Sequence, residues 1–428
     1  MKRNFITELI EWKKSKRRKP LIIKGARQVG KTWCMKEFGR LEFKNTVYLN
    51  FESSQVLQEL FIKDFHIERI IATMEIETKQ KITAKDNLII LDEIQEAPKG
   101  LTALKYFYEN APEYHLISAG SLLGISIQKE QSFPVGKVDI LHLYPLSFSE
   151  FLVSIGEERL SELLISKNWE TIALFHSRLV ELTRLYYFVG GMPEAVADYI
   201  ENKDLELVRQ IQMNILTGYE NDFGKHAPND IIPKMKLVWN ALISQLAKEN
   251  RKFIYGQIKH GSRAKEFEHA IQWLIDAGLV LKVNRIEKPT IPLISYADLD
   301  AFKLFFVDIG LLNAMGNLDA KILLNKNQIL TEYKGAMTEQ FICQQLNMKH
   351  GLYYWVAPNA TAEIDFVVQH ENEIIPIEVK AEENLKSKSL KVFVDKYENK
   401  HATRLSMSEY RVSDWLTNYP IYAINSII

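Results

Sequence analysis

The sequence has little cysteine, no long apolar run and no excess of either charge, and each scarcity excludes a class of protein. Its two cysteines, Cys34 and Cys343, are too few and too far apart for a disulfide framework or a cysteine-rich zinc site. No stretch reaches the roughly 18 apolar residues that a membrane-spanning helix needs. Basic and acidic residues number 54 each, so global charge does not favour a nucleic-acid partner. A length of 428 residues is typical of several globular domains.

The first twenty residues do not read as a signal peptide. They have no continuous apolar core, and their basic residues follow the apolar ones. A cytoplasmic protein without a membrane partner is therefore the expectation. The basic run at residues 13–19 is either a solvated helix end or a local patch for nucleic acid.

Short apolar runs alternate with helical segments in the first third of the chain. The predicted strands are residues 21–24, 46–51, 88–91, 115–118 and 138–143. Nearly continuous apolar strands separated by helices are typical of a parallel sheet covered on both faces. The predicted fold class is therefore α/β.

Residues 25–32, GARQVGKT, fit the phosphate-binding pattern G-x-x-x-x-G-K-[ST] without a mismatch. A predicted strand enters the loop and a helical segment leaves it, which is the context that the pattern requires. Lys31 would reach the outer phosphates of ATP, and Thr32 would offer its hydroxyl to Mg²⁺. The predicted nucleotide contacts are Gly25, Ala26, Arg27, Gln28, Val29, Gly30, Lys31 and Thr32.

Two acidic residues follow the apolar strand 88–91. Asp92 is expected at the carboxyl end of the sheet, where ligands bind in open α/β folds, and is predicted to hold Mg²⁺ through water. Glu93 is the predicted base that orients the attacking water. ATP and Mg²⁺ are the cofactors that this site implies.

Further polar contacts to the nucleotide stay open. Ser118 ends the predicted strand 115–118, and Ser121 follows it. Ser121 is the preferred contact to the γ-phosphate or to the attacking water. No arginine finger is assigned, because Arg27, Arg178, Arg184 and an arginine from a second copy of the chain are all compatible with the sequence.

The C-terminal part carries a second chemical pattern. Predicted strand 363–368 contains Asp365, and after a turn the strand 374–380 contains Glu378 and Lys380. Strand side chains alternate between faces, so we predict these three on one polar face. The core face would hold the apolar partners Ile364, Phe366, Val368, Ile375, Ile377 and Val379.

An aspartate followed by Glu-x-Lys on the paired strand is the catalytic arrangement of the PD-(D/E)XK nuclease fold. Asp365 and Glu378 would share Mg²⁺, a cation that prefers oxygen ligands, and Lys380 would activate water or stabilise developing charge. Glu339, on a preceding helix, matches an extra acid that some of these nucleases use as a ligand. The alternatives are a surface hairpin with solvated charges and a nuclease-like fold that does not cleave.

Taken together, the chain resembles the large bacterial and archaeal family of AAA-type ATPases with a C-terminal domain of unknown function. The matching segments keep their order: KPLIIKGARQVGKT (19–32), LIILDEIQ (88–95), ISAGSLLG (117–124), LYPLSFSEF (143–151), GGMPEAV (190–196), FKLFFVDIGLL (302–312), EIDFVV (363–368) and IPIEVKA (375–381).

The resemblance implies a P-loop ATPase core at 1–155, a helical lid at 156–228, a winged helix at 229–328 and a restriction-endonuclease-like domain at 329–428. Ser262 is predicted to cap the helix of the winged-helix segment that would either read DNA or serve as a packing module. The function expected is ATP hydrolysis coupled to DNA binding or cleavage. The alternative is a signalling or scaffold ATPase, whose C-terminal domain binds nucleic acid, another protein or a second copy of the chain.

Overall fold

A computed structural model describes residues 1–120, 133–247, 252–258, 260–261, 263–324, 331–358, 361–381, 387–398 and 401–427. Ser121 and Ser262, both predicted above to have specific roles, lie outside these residues. The chain divides into two compact units. The N-terminal unit comprises Lys2–Tyr144 with Asp276–Gly278, and the C-terminal unit comprises Met1, Pro145–Ile275 and Leu279–Ile428.

Helices and strands alternate in the N-terminal unit. They are α1 (Phe5–Lys14), β1 (Leu21–Lys24), α2 (Lys31–Glu42), β2 (Asn45–Asn50), α3 (Gln55–Gln58), α4 (Ile67–Thr78), β3 (Asn87–Asp92), α5 (Gly100–Asn110), β4 (His115–Ala119) and β5 (Asp139–His142). The five strands form one sheet in the order β2-β3-β4-β1-β5, and every pairing is parallel. The predicted parallel sheet is confirmed, with strand ends within a residue or two of those expected.

Strand β3 lies inside this sheet and is buried along its whole length. Its residues Ile89 and Leu91 pack with α4 and α5 in one core cluster. Because β1 and β3 are each paired with β4, the loop after β1 and the acids at the end of β3, Asp92 and Glu93, lie at the same edge of the sheet, one strand apart.

The basic run before β1 serves the fold in part. Arg18 donates to the carbonyls of Tyr114 and Pro112 at 2.9 and 2.8 Å, and Lys13 pairs with Glu42 at 3.0 Å. Exposed positions in the run are Lys14, Lys16 and Arg17. Of the basic residues predicted to form a nucleic-acid patch, these three are therefore the exposed ones.

The C-terminal unit contains helices along its whole length. They are α6 (Phe148–Ser154), α7 (Glu158–Ser166), α8 (Trp169–Leu174), α9 (His176–Val189), α10 (Pro193–Asn202), α11 (Leu205–His226), α12 (Ile232–Leu246), α13 (Tyr255–Ile258), α14 (Ala264–Asp276), α15 (Ile309–Met315), α16 (Ala320–Leu324), α17 (Thr331–Leu346), α18 (Lys388–Tyr397) and α19 (Ile424–Ile427). Among the helices described, none is both long enough and apolar enough to cross a membrane.

An eight-stranded mixed sheet completes this unit. Its strands are β6 (Val280–Ile286), β7 (Ala297–Phe306), β8 (Leu352–Val356), β9 (Glu363–His370), β10 (Glu373–Lys380), β11 (Ala402–Ser406), β12 (Arg411–Val412) and β13 (Leu416–Pro420). The order is β12-β13-β11-β10-β9-β8-β6-β7. Strand β6 pairs with β7 antiparallel and with β8 parallel, so this hairpin extends the C-terminal sheet.

The GGMPEAV and FVDIGLL segments meet inside the C-terminal unit. The backbone N–H of Gly191 donates to Asp308 at 2.6 Å, and the other oxygen of Asp308 accepts the N–H of Leu311 at the start of α15. Gln344 on α17 donates to the same carboxylate at 3.1 Å. Burial raises the pKa of Asp308. These segments are therefore tied together by a buried carboxylate that satisfies backbone donors.

Candidate functional site

The loop between β1 and α2 contains two positions whose backbone conformation favours glycine. Gly25 has a φ of +151°, and a Cβ there would lie 2.2 Å from the carbonyl oxygen of Leu143. Gly30, the residue just before α2, has a φ of +94°. Glycine tolerates both conformations without the steric cost of a side chain. The two glycines of the phosphate-binding pattern are thus required by the loop itself.

Lys31 is folded back into this loop. Its amine donates to the carbonyls of Gly25 and Ala26 at 2.9 and 2.8 Å, and only 7% of the residue is exposed. Burial lowers the pKa of Lys31 to about 8, although the nearby carboxylates of Glu93 and Asp92 oppose that change. The lysine is therefore predominantly charged at pH 7 and sits at the loop that is predicted to wrap the phosphates.

Thr32 and Asp92 come together at the edge of the sheet. The hydroxyl of Thr32 donates to Asp92 Oδ2 at 2.7 Å across a separation of 60 residues. Asp92 is 3% exposed, and its Oδ1 accepts the backbone N–H of Glu93 at 3.2 Å. A third group that sequence reasoning missed, the phenol of Tyr48 on β2, donates to the same Oδ2 at 2.9 Å.

The hydroxyl of Thr32 and the carboxylate of Asp92 are suitable ligands for Mg²⁺. A threonine that gives its proton to a carboxylate keeps its oxygen lone pairs available, and hydroxyl, carboxylate and phosphate oxygens are the ligands that Mg²⁺ prefers. The arrangement needs no cluster of protein acids, because bound phosphates and waters supply the remaining ligands. Thr32 and Asp92 are the residues that would hold the ion.

Glu93 follows Asp92 in an unusual conformation. Its φ is +53°, a left-handed value that is uncommon for residues other than glycine. The side-chain amide of Gln95 donates to its carboxylate at 2.5 Å. A residue held in this conformation at the end of a central strand is typical of a functional site, where the surrounding structure compensates the strain.

The polar residues after β4 differ in what they contact. Ser118 is fully buried and its hydroxyl donates to the carbonyl of Leu21 at 3.1 Å, which ties β4 to β1. Its hydroxyl is therefore used by the fold. Ser121, the preferred contact, lies outside the described residues.

Arg3 is a second residue that sequence reasoning missed. It donates to the carbonyl of Val29, within the phosphate-binding loop, at 3.2 Å and to the carbonyl of Tyr144 at 2.6 Å. Only 7% of Arg3 is exposed. A buried guanidinium with two carbonyl partners fixes the back of the loop.

The C-terminal hairpin has the predicted strands with an altered pattern of faces. Opposite β8 the register of β9 shifts: Tyr353 pairs with Val367 but Trp355 with Ile364, so one extra residue is accommodated in β9. As a result Ile364 and Val367 belong to one core cluster, whereas the ring of Phe366 lies 5.7 Å from that of Phe305. The prediction that Ile364, Phe366 and Val368 share one core face is wrong, because a β-bulge interrupts the alternation.

Asp365 lies within this bulge. Strands β9 and β10 pair Phe366 with Ile377 at the last pair of their regular register, and Asp365 precedes Phe366 on β9. Its Oδ2 accepts the backbone N–H of Val379 at 2.8 Å. Because of the bulge, alternation along β9 no longer predicts on which face of the sheet Asp365 lies. The position of its carboxylate is fixed by the hydrogen bond from the N–H of Val379.

Glu378 and Lys380 are paired on β10. Their charged groups lie 3.1 Å apart, and Glu378 is 3% exposed. Arg404 on β11 stands opposite Glu378 in the parallel register and donates to Asn418 at 2.8 Å and Ser387 at 3.1 Å. Burial lowers the pKa of Arg404, whereas the charge of Glu378 raises it. Sequence reasoning missed this arginine, since nothing in its local sequence distinguishes it.

Glu339 lies close to a buried lysine. On α17 it lies 3.7 Å from the amine of Lys303, a fully buried residue of β7 that also contacts Glu363 at 2.5 Å. Within the described parts of the chain, no three histidine, cysteine, aspartate or glutamate side chains gather closely enough to hold a metal ion. The assignment of Glu339 as an extra metal ligand beside Asp365 and Glu378 stays a prediction.

Three protein families match successive parts of the chain. Residues 17–152 match an AAA domain, residues 180–322 a domain of unknown function (DUF8612) and residues 334–428 another (DUF4143). No curated protein matches the chain.

Three solved structures are among those similar to this chain. A Walker-type ATPase of Pyrococcus abyssi is 12% identical, with a TM-score of 0.45, over 73% of this chain and 94% of that one. The Aeropyrum pernix ORC1 protein in complex with DNA is 13% identical, with a TM-score of 0.28, over 73% and 90%. The S. cerevisiae Hsp104–ADP complex is 12% identical, with a TM-score of 0.28, over 64% and 37%. With all TM-scores below 0.5, the domain match carries the assignment: the chain contains an AAA-type P-loop ATPase domain followed by two domains of unknown function.

Proposed function

We propose that this chain binds ATP together with Mg²⁺ and hydrolyses it. The observation that carries the proposal is the 2.7 Å hydrogen bond between Thr32 and Asp92, which joins the phosphate-binding loop to the last residue of β3. Lys31 would contact the outer phosphates, and Glu93 would orient and deprotonate the attacking water. Mg²⁺ would neutralise charge that develops on the phosphate oxygens. Ser121 remains the proposed polar contact beyond β4.

The test is direct. The purified chain should bind ATP in calorimetry and release phosphate when Mg²⁺ is present, and EDTA should abolish phosphate release. A folded chain that neither binds ATP nor releases phosphate would overturn the proposal. Binding without release would leave a nucleotide-responsive switch, the scaffold alternative.

The division into an ATPase core at 1–155, a lid at 156–228, a winged helix at 229–328 and a nuclease-like domain at 329–428 is also proposed. The winged-helix assignment is supported by the order α12, α13, α14 and the antiparallel β6–β7 hairpin. Since β6 also pairs with β8, this ribbon is part of a larger sheet. That arrangement favours a packing role for the module over a free wing that reads DNA.

A second proposed activity is metal-dependent cleavage of nucleic acid by the C-terminal hairpin. One support is the order of elements α17, β8, β9, β10, α18, β11, in which β8 and β9 pair antiparallel, β9 and β10 pair antiparallel, and β10 and β11 pair parallel. The other is the ion pair between Glu378 and Lys380 at 3.1 Å. Asp365 and Glu378 are the proposed metal ligands. Two carboxylates would bind the ion and Lys380 would lie beside the attacking water.

Asp365→Ala and Lys380→Ala should each abolish Mg²⁺- or Mn²⁺-dependent nicking of plasmid DNA, a loss of roughly 10²-fold or more, because each removes a group that acts in the transition state. ATP hydrolysis should continue, since Asp365 and Lys380 belong to a different unit from the phosphate-binding loop. Lys391→Ala is the matched control, as Lys391 is a half-exposed lysine of α18 paired with Asp395.

Two results would go against cleavage. If the wild-type chain binds DNA but never cuts it under any combination of metal and nucleotide, the scaffold alternative stands. If both variants cut as well as the wild-type chain, the nicking comes from another site or from a contaminant.

A further inference from the structure

Tyr48 is placed at the nucleotide site by the order of the strands. It lies on β2, which pairs with β3 so that Tyr48 stands opposite Ile90, two residues before Asp92. Its phenol reaches along the sheet to Asp92 Oδ2 at 2.9 Å. Neither the phosphate-binding pattern nor the acids after β3 includes this residue.

Two hydroxyl groups converge on one oxygen of Asp92. Thr32 donates to Oδ2 at 2.7 Å and Tyr48 donates to it at 2.9 Å, whereas Oδ1 accepts a backbone N–H. A carboxylate held by three donors has little rotational freedom. Its orientation toward the loop is therefore set before nucleotide arrives, which reduces the cost of ordering it upon binding.

The ring of Tyr48 is itself held by α2. The amine of Lys36 lies 3.7 Å from the ring centre, a cation–π distance. Helix α2 begins at Lys31 and contains Thr32, so Tyr48 contacts both the helix that follows the loop and the acid after β3.

We propose that Tyr48 is a positioning residue that holds the carboxylate of Asp92 for the Mg²⁺ ion of bound nucleotide. The inference rests on the proposed binding of ATP with Mg²⁺. It assigns Tyr48 no contact with the reacting phosphate and no role in moving a proton. Its contribution belongs to the step in which the metal–nucleotide complex is accepted.

Tyr48→Phe tests this inference, because it removes the hydroxyl and keeps the ring over Lys36. The measurement is the affinity for a non-hydrolysable ATP analogue by calorimetry, once with Mg²⁺ and once with EDTA. We expect the Mg²⁺-dependent gain in affinity to fall roughly tenfold, the loss expected for one hydrogen bond to a charged group. The affinity in EDTA should match that of the wild-type chain.

Tyr108→Phe is the matched control, since Tyr108 lies on α5 and its ring contacts Lys137 instead of the nucleotide site. It should keep the full Mg²⁺-dependent gain. A wild-type Mg²⁺ dependence in Tyr48→Phe would overturn the positioning role, as would an equal loss of affinity with Mg²⁺ and with EDTA. If the wild-type chain itself does not bind the analogue, the proposed function fails instead.

Discussion

Glu93→Gln is expected to bind ATP as the wild-type chain does and to hydrolyse it roughly 10²–10⁴-fold more slowly, the usual cost of losing a general base. The amide keeps the size of the carboxylate but cannot accept the proton of the attacking water. Glu93 is held after the central strand β3 with a φ of +53°, and Gln95 donates to its carboxylate. The measurement is steady-state phosphate release, with calorimetry of ATP binding alongside.

Glu96→Gln is the matched control for this variant. Glu96 is an exposed acid in the same short turn, three residues after Glu93. The Glu96→Gln variant should hydrolyse ATP at the wild-type rate. If Glu93→Gln turns over ATP normally, Glu93 is not the base. If it loses binding as well as turnover, the residue supports the site's structure and its catalytic role is unproven.

Lys31→Ala should weaken ATP binding by about ten- to a hundredfold, because a charge-assisted contact to phosphate contributes about 1.5–3 kcal/mol. The amine is positioned for this by its hydrogen bonds to Gly25 and Ala26, which a bound phosphate would replace. With a pKa of about 8, lowered by burial, Lys31 is predominantly charged at pH 7. Calorimetric titration with ATP at that pH is the measurement.

Lys31→Met separates charge from packing in this experiment. It keeps most of the buried stem but not the charge, so it should lose as much affinity as Lys31→Ala. Lys44→Ala serves as the control, because the side chain of Lys44 is 75% exposed and its pair with Asp86 is a surface contact of small energy. Unchanged affinity in both Lys31 variants would contradict the phosphate contact.

The sequence alone predicted the parts of this protein that are encoded locally. A phosphate-binding loop is a run of eight residues between a strand and a helix, and its glycines are required by the backbone angles of that run. The acids Asp92 and Glu93 follow four consecutive apolar residues, and such a run inside a parallel sheet identifies a central strand. The confirmed parallel sheet follows from the same short-range pattern.

The tertiary structure decided which distant groups join those local elements. Tyr48 reaches Asp92 only because β2 is the neighbour of β3, and strand order does not follow from the sequence of either strand. Arg3 reaches the carbonyl of Val29 from before the first helix. Both contacts depend on where separate elements pack, which is a property of the assembled unit.

The C-terminal hairpin shows where a local pattern was insufficient. Alternation along a strand assigns faces only while the register is regular, and the bulge at β9 breaks it at Asp365. Local sequence also gave no sign that Lys303 lies 3.7 Å from Glu339, a contact that arises because β7 places this fully buried ammonium group beside α17. Residue types and spacing were determined by the sequence, whereas strand pairing and the compensation of buried charge were decided by the tertiary fold.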